Sequence, residues 1–119
     1  MLEVALAEDR RQACDALRSR SVVMVGGEYA EELIPLYGLD PRAVQPVRAA
    51  LRARDPHAAR LVSDAMVEAF AIGGPESYVV ERLQRLAADG LRSFIISPGK
   101  GADRATIEAL GRVARGAFA

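Results

Sequence analysis

Three consecutive apolar residues, Phe94-Ile95-Ile96, constrain the fold of this chain most strongly. They follow an amphipathic segment that Gly90 ends, and Ser97-Pro98-Gly99-Lys100-Gly101 follows them. A strand with one wet face alternates apolar and polar side chains. An unbroken apolar run marks a strand covered on both faces, as in a parallel sheet flanked by helices. Upstream, Val79, Val80, Leu83, Leu86 and Ala87 follow the spacing of one buried helical face. Gly73-Gly74-Pro75 allows a tight backbone and then a proline at the helix start. A helix from Pro75 to Ala88 spans about 21 Å, and a strand from Arg92 to Ser97 about 20 Å. The matched lengths suit a helix lying antiparallel on its own strand. This order, short extended segment, helix, buried strand, glycine-rich turn and helix, is the unit of a parallel β/α barrel.

The remainder is read in the same way. Leu2, Val4 and Leu6 alternate with Glu3, Ala5 and Ala7, which predicts a short strand. Glu8-Asp9 opens a helix to about Arg18 that turns Ala13, Cys14 and Leu17 to one side, with Cys14 as a core residue. Residues 21–64 read as short helices. Pro35 interrupts one, Gly38 stops it, and Asp40-Pro41 and Asp55-Pro56 each pair an N-cap with a proline. Val44, Val47 and Leu51 form a stripe between those two starts. The last helix begins near Asp103 and is expected to bury Ile107, Leu110, Ala114 and Phe118. The expected organisation is a single partial domain: strand and helix over 1–18, a helical excursion over 19–64, and the last helix-strand-helix over 65–119.

Sixteen basic and sixteen acidic residues cancel, leaving no electrostatic footprint for nucleic acid or an anionic membrane. One cysteine precludes an internal disulfide, and a single histidine leaves no metal-ligand cluster. With no membrane span and no signal-like start, the cytoplasm is the expected compartment.

The residues with most chemical promise are the two loops that a β/α barrel brings to its carboxyl face. Gly73, Gly74, Ser97, Gly99 and Lys100 are the candidate cofactor-binding residues, because unpaired N–H groups at a helix start and a lysine welcome an anion. The plainer reading makes Gly-Pro a common helix start and Lys100 a solvated loop residue. His57 has no acid or nucleophile assignable to it and reads as a surface residue. Asp64 and Glu68 read as neighbours on a solvated helix face, and Tyr29, Tyr37 and Tyr78 as packing residues with satisfied hydroxyls. No nucleophile with an adjacent base is apparent.

The run from Asp64 to Glu76, DAMVEAFAIGGPE, with Val79-Val80-Glu81-Arg82-Leu83, Ala88-Asp89-Gly90 and Ser97-Pro98-Gly99, resembles the C-terminal part of the luciferase-like flavin or deazaflavin oxidoreductases. Within them it is most similar to the coenzyme F-420-dependent methylene-tetrahydromethanopterin reductases. Tyr37 to Leu51 and Val4 to Leu17 extend the resemblance over nearly the whole chain. It implies an α/β fold, the C-terminal segment of a TIM (β/α)8 barrel, comprising about the last two β/α units plus a helical insertion. It also implies hydride transfer between reduced coenzyme F-420 and a one-carbon pterin or related small molecule, with FMN as the alternative cofactor. Gly74 departs from the family's usual threonine, and the family's catalytic acid belongs to a part with no counterpart here. Catalytic residues are therefore unassigned. Two barrel strands leave two open edges, so the expected partner is the remainder of the barrel or a second copy. The contrasting readings are an FMN-dependent monooxygenase fragment and a non-catalytic helical interaction module.

Overall fold

The computed structural model describes residues 1–98 and 102–118. The chain forms β1 (Leu2–Leu6), α1 (Arg10–Gly26), α2 (Ala30–Leu36), α3 (Pro41–Arg52), a 3-10 helix (Ala58–Leu61), α4 (Asp64–Phe70), β2 (Ala71–Gly74), α5 (Glu76–Ala88), β3 (Ile96–Ser97) and α6 (Arg104–Phe118). It divides into two compact units, Met1–Cys14 with Ile72–Ala119, and Asp15–Ala71. No helix of the described residues is long and apolar enough to cross a membrane.

The first unit is built on a three-stranded sheet in the order β2-β1-β3. β3 runs parallel to β1, with Leu2 opposite Ile96 and Glu3 opposite Ser97. The period-two pattern of β1 sends Val4 into a core with Ile72, Val79, Leu83, Leu110 and Val113, and Leu2, Leu6 and Ile96 pack against the same cluster. Leu83, Val79 and Val113 are all but inaccessible; burying one such side chain contributes about 1.5–3 kcal/mol. α5 and α6 thus cover one face. The alternation of β1 leaves Glu3 and Ala5 on the other.

Two expectations are corrected here. The extended segment is not a six-residue strand: only Ile96 and Ser97 join the ladder, and Ile95 is 69% exposed. The register explains this, since Leu2 already stands opposite Ile96 and only Met1 remains opposite Ile95. α6 buries Leu110 and Val113, whereas Ile107 and Phe118 stay largely exposed. A spacing of three from Leu110 selects Val113, so the buried stripe is narrower than the sequence suggests.

The second unit, which takes in the helical stretch expected over 19–64 and runs from Asp15 to Ala71, is helical. Val25, Val44, Val47 and Val67 are fully buried in it, alongside Leu17, Ile34 and Met66. Asp40 caps α3, its carboxylate accepting from the Arg42 N–H at 2.9 Å with Pro41 at the first helical position. Asp55 makes the analogous bond to the His57 N–H at 2.8 Å, but the turn it opens is 3-10 rather than α-helical. Ser63 caps α4 by accepting from Met66 at 3.3 Å. Arg18 ties the unit together: its guanidinium donates to Asp15 at 2.7 Å, to the Val62 carbonyl at 2.7 Å, and to Asp64. Asp64 is therefore the partner of an arginine 46 residues away, not merely a solvated neighbour of Glu68.

Two helices of this unit end with the same paired bonds. After α2, Leu39 N–H reaches the Ile34 carbonyl and Gly38 N–H the Pro35 carbonyl, with Gly38 at φ 66°. After α3, Asp55 N–H reaches Ala50 and Arg54 N–H reaches Leu51, with Arg54 at φ 54°. Glycine adopts this left-handed geometry freely, and a residue with a Cβ pays about 1–2 kcal/mol for it. Arg54→Gly is therefore expected to stabilise the protein by about 1 kcal/mol, and Gly38→Ala to destabilise it by a similar amount. Urea unfolding midpoints of the two variants test the pair, and movement in the same direction would contradict the cap assignment.

Candidate functional site

The carboxyl ends of parallel strands gather the loops that bind ligands in α/β proteins, so the site is built from that edge. β1 ends at Leu6 and the chain passes through Ala7-Glu8-Asp9 into α1; β2 ends at Gly74 and passes through Pro75 into α5. Ala7 N–H donates to the Gly74 carbonyl at 3.0 Å, locking these two exits side by side. Gly74 has to be glycine for lack of room. A Cβ there would lie 2.8 Å from Cδ1 of Tyr78 and 3.2 Å from Cγ of Arg10. Tyr78 stands in the first turn of α5, and the Arg10 guanidinium lies 4.1 Å from its ring centroid and donates to its hydroxyl at 2.9 Å. Gly74, Arg10 and Tyr78 thus form one packed knot.

Of the residues singled out from sequence, Gly73 and Gly74 lie together at the end of β2, both buried. Ser97 lies on β3, level with Glu3 rather than with Ala7. The offset of four residues along β1 is about 13 Å, and β1 itself separates β2 from β3 by two strand spacings, about 10 Å in all. Ser97 itself therefore does not meet Gly74, contrary to the expectation that the two segments approach each other. Gly99 and Lys100 lie outside the described residues. His57 is exposed in its turn. Tyr37 packs edge-on against Phe70 at 4.7 Å, but Tyr29 is 69% exposed and is no packing residue. Cys14 is buried, as a core cysteine should be.

Arg10, Tyr78 and Glu3 were not read from sequence as site residues. Arg10 and Tyr78 are 68 positions apart, and nothing local to either announces the contact. Glu3 left a faint trace: it is the carboxylate at an alternate position of a central strand. It shares with Ser97, its neighbour in register, the face of the sheet opposite α5 and α6, and one of its oxygens, Oε2, is buried.

The electrostatics of the edge are mixed. Asp9 accepts from the Arg11 N–H at 2.9 Å, already placing a carboxylate at the start of α1. α5 is preceded by Pro75 at the N-cap position, which offers no side-chain cap, and carries Glu76 in its first turn. Glu76 is gripped by Arg112 of α6 at 2.7 and 3.3 Å, and that hydrogen-bonded pairing holds the carboxyl below its usual range while raising Arg112. The Thr106 hydroxyl and N–H likewise lower Asp103 at the start of α6, and the bond to Asp64 raises Arg18. These four shifts all favour the charged form, so none tunes its group for proton transfer near neutrality. Among the described residues no group of three or more His, Cys, Asp or Glu could hold a metal ion. In the second unit, Asp15, Arg18, Arg60 and Asp64 line an open depression of about 510 Å³ in which Arg18 is engaged by its structural partners. What the structure places at the carboxyl ends of β1 and β2 is the start of α5 beside Arg10 and the Tyr78 hydroxyl, which are already bonded to each other.

No known family model, curated protein or solved structure matches the chain.

Two outcomes are expected. Gly74→Ala should cost about 1–3 kcal/mol through overpacking, and Tyr78→Ala in the same chain should recover part of that loss; additive effects in denaturant unfolding would dismiss the knot. Arg112→Ala should raise the Glu76 carboxyl toward the ordinary range in an NMR titration. Because the folded pKa of Glu76 is depressed, the pair's contribution is present above the unfolded carboxyl pKa and fades as pH falls through the folded one. The stability difference between wild type and variant should accordingly vanish in acid.

Proposed function

We propose that the chain is the C-terminal part of a luciferase-like oxidoreductase barrel, acting in the cytoplasm, whose sheet edge forms one wall of a deazaflavin pocket. The observation that carries this reading is the parallel pairing of β1 with β3. It accompanies helices α5 and α6 packed on one face only, with Glu3 and Ala5 left on the other. A barrel wall has this construction, with apolar residues outward under the helices and the inner face turned to a pocket at the carboxyl end.

Coenzyme F-420 is the inferred cofactor, transferring hydride to or from a one-carbon pterin or a related small molecule. The edge suits an elongated anionic ligand as a partial wall. The first-turn N–H groups of α5 and the Arg10 guanidinium would hold the charged end. When bound, the deazaflavin supplies the hydride; this chain's residues bind, orient and exclude water. The remainder of the barrel, or self-association, would complete the enclosure.

One observation favours a second reading. Consecutive barrel strands would follow the order 1-2-3, whereas here β2 and β3 flank β1. That order is characteristic of doubly wound sheets, which bind small ligands at the crevice where the chain changes direction. Both readings use the same edge.

Titration of the full chain with F-420 and with FMN, followed by fluorescence, separates them. Saturable F-420 binding weakened by Lys100→Ala is the expected result. Binding of FMN alone would favour a luciferase-like monooxygenase. Binding of neither would remove the redox proposal and leave the doubly wound module or a non-catalytic helical interaction module.

A further inference from the structure

The two sheet edges differ. All four residues of β2 are buried, whereas β3 is flanked by exposed Arg92, Ser93, Ile95 and Pro98. The ladder to β1 fixes which groups of β3 face outward. Leu2 N–H donates to the Ile95 carbonyl at 2.7 Å, and the bridge between Leu2 and Ile96 continues through Ser97. Ile96 consequently turns its own N–H and C=O to the open edge, and Phe94 follows on the same edge if the strand is prolonged by two residues. An open edge carrying exposed isoleucine is a template for another strand.

We propose that β3 is a dimerisation strand, and that two copies of this chain pair antiparallel through it about a two-fold axis at Ile95. A second copy fits this edge because the edge is self-complementary about Ile95, the register that sets the exposed isoleucine against its own copy. When Phe94 of one copy exchanges both hydrogen bonds with Ile96 of the other, and the reverse, Ile95 faces Ile95 as the central pair without hydrogen bonds, about 4.5 Å apart between Cα atoms. That buries the exposed isoleucine against its copy. On the helix-covered face, Phe94 meets Ile96 as an aromatic and β-branched cross-strand pair, a favourable combination. The ring of Phe118, 5.2 Å from that of Phe94 and 49% exposed, borders the same cluster. Pro98, with no N–H to offer, ends the pairing opposite Arg92. The result is an isologous interface and a six-stranded sheet.

The proposal needs no cofactor and competes with the barrel reading for this edge, since an antiparallel copy on β3 leaves no place there for a further parallel barrel strand; it is tested on the full chain. Sedimentation across a concentration series should show a reversible monomer–dimer equilibrium. Ile95→Lys should weaken the dimer at least tenfold while the far-UV circular dichroism stays that of wild type. Ile95→Cys tests the register itself, because a central Cα separation of about 4.5 Å falls within disulfide range. Mild oxidation should give a covalent dimer, with Cys14 buried and out of competition. Ser93→Cys, which this register sets opposite Ser97 of the other copy, should not cross-link to itself. The proposal is overturned by a monomer at every concentration, by a dimer indifferent to Ile95→Lys, by open-ended higher oligomers, or by equal cross-linking of the two cysteine variants.

Discussion

β1 is the strand on which the first unit depends. It is five residues long and central, and each end has a separate duty. Its beginning sets the register of β3 through Leu2 and Glu3, and the residue after its end, Ala7, bonds to the last carbonyl of β2. Val4 in its middle enters the core under α5 and α6. A shift of one residue would turn Glu3 into that core and Val4 out of it. An ionised carboxylate in an apolar core costs far more than a slipped hydrogen bond returns, so the alternation of β1 fixes the register of the sheet.

The second unit depends on local closure and one long-range tie. Its helices are short, seven residues each in α2 and α4, and helices of that length do not persist in water by themselves. Caps at Asp40 and Ser63, the left-handed turns at Gly38 and Arg54, and the packing of Val25, Val44, Val47 and Val67 hold them. Arg18 adds what the caps cannot. Its mostly shielded guanidinium joins α1 to the Val62 carbonyl and to Asp64 at the start of α4. A planar donor fork meets three acceptors there, which a lysine cannot reproduce.

The parts of this molecule legible in the sequence are those encoded by neighbours along the chain. The face of α5 was readable because Val79 and Leu83 are one helical turn apart, the start at Asp40-Pro41 because its cap acts within three residues, and the start at Gly74-Pro75 because proline fixes the backbone at a helix entry. The end of α3 was less so, since an arginine stands where glycine is the usual signal. β3 shows the limit most clearly. The apolar run Phe94-Ile95-Ile96 announces an extended segment, but how much of it joins a sheet depends on where β1 begins, 94 positions earlier by the pairing of Leu2 with Ile96. The knot of Arg10, Gly74 and Tyr78 was hidden for the same reason: each residue is ordinary locally, and only the sheet brings them together.

The stagger of β3 also bears on what the carboxyl edge can recognise. Gly74 and Ser97 are separated by about 13 Å along the strands and about 10 Å across them, so one phosphate cannot touch both. A ligand that contacts both positions must be extended, reaching from the start of α5 to the face that carries Glu3 and Ser97. Arg10 is oriented by the Tyr78 ring and hydroxyl. Glu3, with one oxygen buried, lies at the other end, level with Ser97. The stagger thus bears on the length of a ligand that would span the two positions, while the charges at the α1–α5 side, Arg10 with Asp9 and Glu76, are mixed.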